Sequence, residues 1–160
     1  MHNEKQKPTP LLYESYLALI RNSVGSKMFR NFYALVDGQK RDVIEDGVLS
    51  CAFYVSSVLL LSELIKEVHM TVTRTLEDMR ESGWVEVPID AAKPGSVVAW
   101  ELKTFDDGSQ HEHVGFLMSE NKAISTDYQQ GMVVEHELPA DRKITAVYWH
   151  PKLDEQPATS

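Results

Sequence analysis

The chain opens with a helical rhythm and ends with an alternating one. Between residues 11 and 20, the apolar side chains Leu12, Tyr16, Leu17, Leu19 and Ile20 recur at the spacing that gathers them on one helix face. Residues 32–36, the dipeptide Asp37-Gly38 and an extended run to Ile44 read as a hairpin, because Asp-Gly supplies the positive φ values of a tight turn. The most apolar segment, 52–65, predicts a buried helix over about 51–66, with the Ser50 hydroxyl placed to cap its first amides. An amphipathic helix is expected over about 73–81, closed by Gly83. After it the period changes to two. Residues 96–102, 114–118, 123–127, 132–138 and 144–149 alternate like strands, and their turns are marked by Pro94-Gly95, Asp107-Gly108, Glu120-Asn121, Gly131 and Pro139. Helices first and strands second predict an α+β fold, with N-terminal helices on a mostly antiparallel sheet of five to six strands. Residues 10–151 read as a single domain, flanked by flexible ends at 1–9 and 152–160.

Composition narrows the function. With 160 residues the chain is long enough for a core without covalent staples. Its 16 basic and 24 acidic side chains give a net charge of −8, with no basic cluster. That argues against nucleic acid and anionic membrane as partners, since both require cations that displace counterions. The longest apolar stretch, 54–61, is too short to span a bilayer. Residues 1–8 carry no apolar signal segment, so the expected place of synthesis and first residence is the cytoplasm, with any export by a non-Sec route. A single cysteine, Cys51, excludes an intramolecular disulfide.

Taken alone, Cys51 reads as a buried small hydrophobe. Its position at the expected first turn of a helix suggests chemistry instead. Open amides and the helix dipole favour an anion there, so a lowered thiol pKa and a thiolate nucleophile are expected. A nucleophilic thiol needs an imidazole. His113 is the candidate, opening the strand His113-Val114-Gly115-Phe116, where Gly115 leaves room for a helix end or a substrate to approach. His111 and His113 also form a possible metal pair, with His136, His69 and Cys51 as further donors. No paired spacing supports such a site, and no metal or other cofactor is expected. His150 reads as a surface residue. Tyr54, Trp84, Trp100, Tyr148 and Trp149 read as core aromatics rather than a sugar platform.

Three segments together resemble the NlpC/P60 cysteine peptidases of the papain-like superfamily, and more loosely the CHAP amidases. They are Ser50-Cys51-Ala52-Phe53-Tyr54-Val55, Lys93-Pro94-Gly95-Ser96-Val97-Val98-Ala99-Trp100 and His113-Val114-Gly115-Phe116, in the family's order. The resemblance covers about 47–151. It implies a papain-like NlpC/P60 fold and a thiol hydrolase that cleaves an amide or isopeptide bond, with a peptide or cell-wall fragment of the peptidoglycan stem type as substrate. Cys51 would be the nucleophile and His113 the base, and the Cys51 amide would serve the oxyanion. By position the third member is Ser125. By chemistry it is Asp127, since a carboxylate stabilises an imidazolium better than a hydroxyl. A three-residue loop 119–121 would pair Phe116 with Ile124 and put Ser125 and Asp127 on the His113 face. The family has Asp where Ser50 stands, Ser or Gly where Ala52 stands, and Asp where Ser96 stands. Ser50 is then the substrate-binding candidate. Other readings of the same segments are a papain-like binding module without catalysis and a thiol acyltransferase.

Overall fold

The change of period along the sequence becomes a change of layer in space. The computed structural model describes residues 5–157. Three helices, α1 (Leu12–Asn22), α2 (Cys51–Leu61) and α3 (Val72–Glu81), precede most of the sheet. A two-stranded hairpin, β1 (Tyr33–Val36) with β2 (Gln39–Asp42), lies between α1 and α2 in the chain. The main sheet comprises β3 (Val85–Val87), β4 (Ser96–Thr104), β5 (Gln110–Leu117), β6 (Lys122–Asp127), β7 (Met132–Glu137) and β8 (Ile144–Trp149). Its order is β3-β8-β4-β5-β6-β7, and every neighbouring pair is antiparallel. The fold class is α+β.

The apolar helix α2 packs on β5 and β6 and touches α1 and α3, which explains why it is hydrophobic on every side. It is shorter than its sequence suggests, ending at Leu61 rather than near 66. Glu63 takes a left-handed φ of 56°, its amide donates to the Leu60 carbonyl (2.9 Å), and the Leu64 amide donates to that of Leu59 (2.9 Å). This is a Schellman termination. The apolar pattern runs on because Leu64 and Ile65 are buried in the capping turn, not in the helix. Helix α3 begins on Thr71, whose hydroxyl accepts from the Arg74 amide (3.2 Å).

The Pro94-Gly95 turn is gripped by α1. Tyr13 and Tyr16 donate to the carbonyls of Pro94 (2.8 Å) and Gly95 (2.7 Å). A Cβ on Gly95 would meet the Tyr16 ring at 2.8 Å. The five aromatics assigned to the core are all buried. Two expectations at the C-terminal end need correction. His150 is buried, with Nε2 donating to the Ser82 carbonyl (2.8 Å) and Nδ1 accepting from the Lys152 amide (3.1 Å). The segment from 152 is partly tied down, because a single 3-10 turn over Pro151–Asp154 buries Leu153 and lets Asp154 accept from Trp149 (2.9 Å). At the other end, residues 5–9 are exposed and irregular, while 1–4 and 158–160 lie outside the described residues. Among the described residues no helix is long and apolar enough to cross a membrane.

Candidate functional site

The loop before α2 sets where the helix begins. Asp42 accepts from the amides of Phe32 (3.0 Å), Ile44 (3.3 Å) and Asp46 (2.8 Å), and Arg30 holds Asp46 through two bonds of 2.7 and 3.1 Å. Burial raises the Asp42 pKa, but the donated hydrogen bonds outweigh it and leave the carboxyl below its usual range. Gly47 has a φ of 94°, and a Cβ there would meet the Gly131 Cα at 2.8 Å. This backbone contact seats the start of α2 against the β6–β7 turn. Ser50 does not cap the helix. Its backbone is already helical (φ −85°, ψ −6°), and its buried hydroxyl donates back to the Gly47 carbonyl (2.9 Å). A capping hydroxyl needs an extended residue to reach forward.

The opposite wall comes from the sheet. Trp100 pairs with His113 across β4 and β5, and a bulge between Trp100 and Lys103 breaks the ladder beside them. The Trp100 indole lies 5.1 Å from the His113 ring and 6.1 Å from the His136 ring. A Cβ on Gly115 would meet the Ser125 Cβ at 2.8 Å and the Trp100 ring at 3.2 Å. So the glycine admits a neighbouring strand and an indole, not a helix end or a substrate. The pairing of Phe116 with Ile124 is the one a three-residue loop dictates.

A chain of hydrogen bonds crosses this wall. His113 Nε2 lies 2.9 Å from Ser125 Oγ, Ser125 Oγ lies 2.7 Å from His136 Nε2, and His136 Nδ1 lies 2.8 Å from the Glu137 carbonyl. The carbonyl can only accept, so His136 Nδ1 carries the proton. In neutral His136, Nε2 then accepts from the Ser125 hydroxyl, and the Ser125 oxygen accepts from His113 Nε2–H. His113 Nδ1 is left with a lone pair. Asp127 takes no part, because its carboxylate accepts from the Gln129 (2.9 Å) and Gln130 (2.8 Å) amides in the following turn.

Cys51, Trp100, His113, Ser125, His136 and Arg142 line one groove of about 750 Å³. That volume is in the range of small-molecule and peptide sites. The electrostatics correct one expectation. Burial pushes the Cys51 thiol above its usual pKa, although the amides of Val114, Ala52 and Cys51 and the Arg142 charge pull it down. Open amides at a helix start do not outweigh desolvation of the sulfur. His113 is pushed the other way, to about 3, by burial and then by the charges of Arg142 and His136. Among the described residues no hydrogen bond joins Cys51 to His113. The resting pair is therefore a neutral thiol and a neutral imidazole on elements packed against each other, α2 and β5.

The structure thus brings Cys51, His113 and Ser125 to one groove and leaves Ser50 buried behind it. His111 bonds Ser109 (2.9 Å), and among the described residues no three His, Cys, Asp or Glu side chains are grouped to hold a metal ion. Two groove residues escaped the sequence reading. The sequence suggests His136 only as a metal donor, though alternation after Gly131 places it on the Ser125 face. Arg142 carries no local sequence signal, since strand contacts distant in the chain position it. Searches of family models and of curated proteins find no match to this chain.

Proposed function

We propose that the protein is a thiol hydrolase of the papain-like NlpC/P60 type, cleaving an amide or isopeptide bond in a peptide or cell-wall fragment. The carrying observation is the chain Glu137 carbonyl–His136–Ser125–His113, which leaves an imidazole lone pair in the groove that Cys51 lines. Substrate binding displaces water from the groove, and His113 Nδ1 accepts the thiol proton as sulfur attacks the carbonyl carbon. The Cys51 amide precedes the first amide tied at the helix start, that of Tyr54 to the Ser50 carbonyl (2.9 Å), and is open to the oxyanion. Collapse breaks the C–N bond, the imidazolium returns its proton to the leaving amine, and a thioester remains. Water then attacks with His113 again as base, releasing the acid and the thiol.

A second reading, a papain-like binding module without catalysis, draws on the buried thiol and on the absence of a Cys51–His113 hydrogen bond. Single-turnover alkylation by iodoacetamide separates the two. The hydrolase reading expects Cys51 to be modified at pH 7 to 8, about tenfold more slowly in His113→Ala. It also expects amine release from a panel of peptide and muropeptide amides by the wild type and none by Cys51→Ala. An inert thiol, or cleavage that survives Cys51→Ala, overturns it.

A further inference from the structure

Among the described residues two cations line the groove, Lys103 and Arg142. Lys103 is neutralised by Asp141 at 2.9 Å. Arg142 makes no ion pair among the described residues. Its Nε donates to the Glu101 carbonyl (2.9 Å) and its Nη2 to the His111 carbonyl (2.6 Å). These acceptors lie in the bulge of β4 and, on β5, opposite Lys103, so they fix the plane of the guanidinium without cancelling its charge. Of the nearby carboxylates, Asp141 is engaged by Lys103 and Glu101 by the Lys143 amide (2.9 Å), while Asp106 and Glu112 also line the groove. Nη1 has no partner. The cation is half-buried, and burial lowers its pKa against the opposing pull of Cys51, Asp141 and Glu101. Its charge is felt at both the thiol and the imidazole.

A planar fork anchored along one edge and open along the other matches a carboxylate, which accepts two parallel N–H bonds. We propose that Arg142 is a carboxylate-binding residue, so that the groove takes amides bearing a free carboxylate a few bonds from the scissile bond. This rests on the reading of Cys51 as nucleophile. The competing use of Arg142 is to stabilise the Cys51 thiolate alone.

Charged and neutral alkylators of matched shape distinguish these uses. The probes are iodoacetate against iodoacetamide, and N-iodoacetylglycine against N-iodoacetylglycinamide, at fixed pH and ionic strength. The ratio within each pair cancels the thiolate fraction. The wild type is expected to favour the anionic member of at least one pair by about tenfold relative to a small free thiol. Arg142→Gln should return that ratio to the free-thiol value, and Arg142→Lys should fall between. A wild-type ratio equal to that of the free thiol overturns the proposal, whether or not the variants fold. So does an equal slowing of both members in Arg142→Gln. If the reagents react briskly but without preference, only the role of Arg142 fails. If none reacts with Cys51, the hydrolase reading fails with it.

Discussion

His69 and His113 are both half-buried imidazoles held through Nε2, and they differ in what holds them. His69 Nε2 meets Asp78 at 2.7 Å. That carboxylate also accepts from the amides of Lys66 (3.1 Å) and Glu67 (3.0 Å) and from the Ser82 hydroxyl (2.9 Å). The His69 backbone is itself tied to Ser56 through bonds of 2.9 and 3.0 Å. The Asp78 carboxylate there is spent on joining the turn after α2 to α3. His113 is held instead by neutral groups, and its chain ends in an unused lone pair within a groove. Burial raises the Asp78 pKa, but its donors outweigh that and hold the carboxyl below its usual range. His113 is kept neutral far below its ordinary 6.5, at about 3. A carboxylate against an imidazole is thus a structural fastening in this molecule, while the hydroxyl-linked pair leaves an imidazole unprotonated.

The sharpest way to break this comparison is to remove the fastening. Asp78→Ala strands four part-buried donors and should cost about 3 kcal/mol in urea unfolding. Iodoacetamide alkylation of Cys51 in the folded variant should be unchanged. A loss below about 1 kcal/mol, or a slowed thiol, would erase the distinction between the two centres. The acid limbs should also differ. A histidine held neutral in the folded state stabilises the fold above its unfolded pKa of 6.5, and that stability drains away as pH falls from 6.5 toward 3. A depressed carboxylate stabilises above 3.8, so the Asp78 contribution fades only below that value. His113→Gln should therefore flatten the stability profile between pH 6.5 and 4, and Asp78→Asn only below about 4. Equal profiles in the two variants would contradict the assignment.

A smaller effect is expected from His136→Ala, which removes the far end of the relay. Alkylation of Cys51 should slow by about tenfold, the scale seen for partners that orient a working imidazole, with little change in stability. An unchanged rate would leave Ser125 sufficient by itself. The smallest effect belongs to Trp100→Phe. Among the described residues the buried indole Nε1 has no hydrogen-bond partner. Losing an unsatisfied donor offsets the lost ring volume, and the net change should stay within about 1 kcal/mol. A loss above about 2 kcal/mol would mean that the N–H is satisfied in solution.

Legibility in the sequence followed locality. The Asp37-Gly38 hairpin, the strands of period two and the Phe116–Ile124 register rest on turn chemistry and alternation, which neighbours in sequence carry. What failed was decided by contacts from afar. The length of α2 was misjudged because Leu64 and Ile65 are apolar for the sake of a capping turn. Ser50 could not cap because its backbone is already helical and its hydroxyl turns back to the Gly47 carbonyl. The thiol was expected to be acidic because its helix position is local, whereas the burial that raises its pKa comes from the assembled sheet. Of the groove, Cys51, His113 and Ser125 could be singled out in the sequence and His136 is within reach of strand alternation, while Arg142 becomes visible only with the strands in place.

The central claim is that His113 rests as a neutral base with its lone pair on Nδ1. Nitrogen-15 NMR of the histidine rings reads both properties directly, without a substrate. The account predicts a proton on His113 Nε2, none on Nδ1, and no protonation of that ring between pH 7 and 5. A proton on Nδ1, or an imidazolium already formed at pH 6, would contradict it.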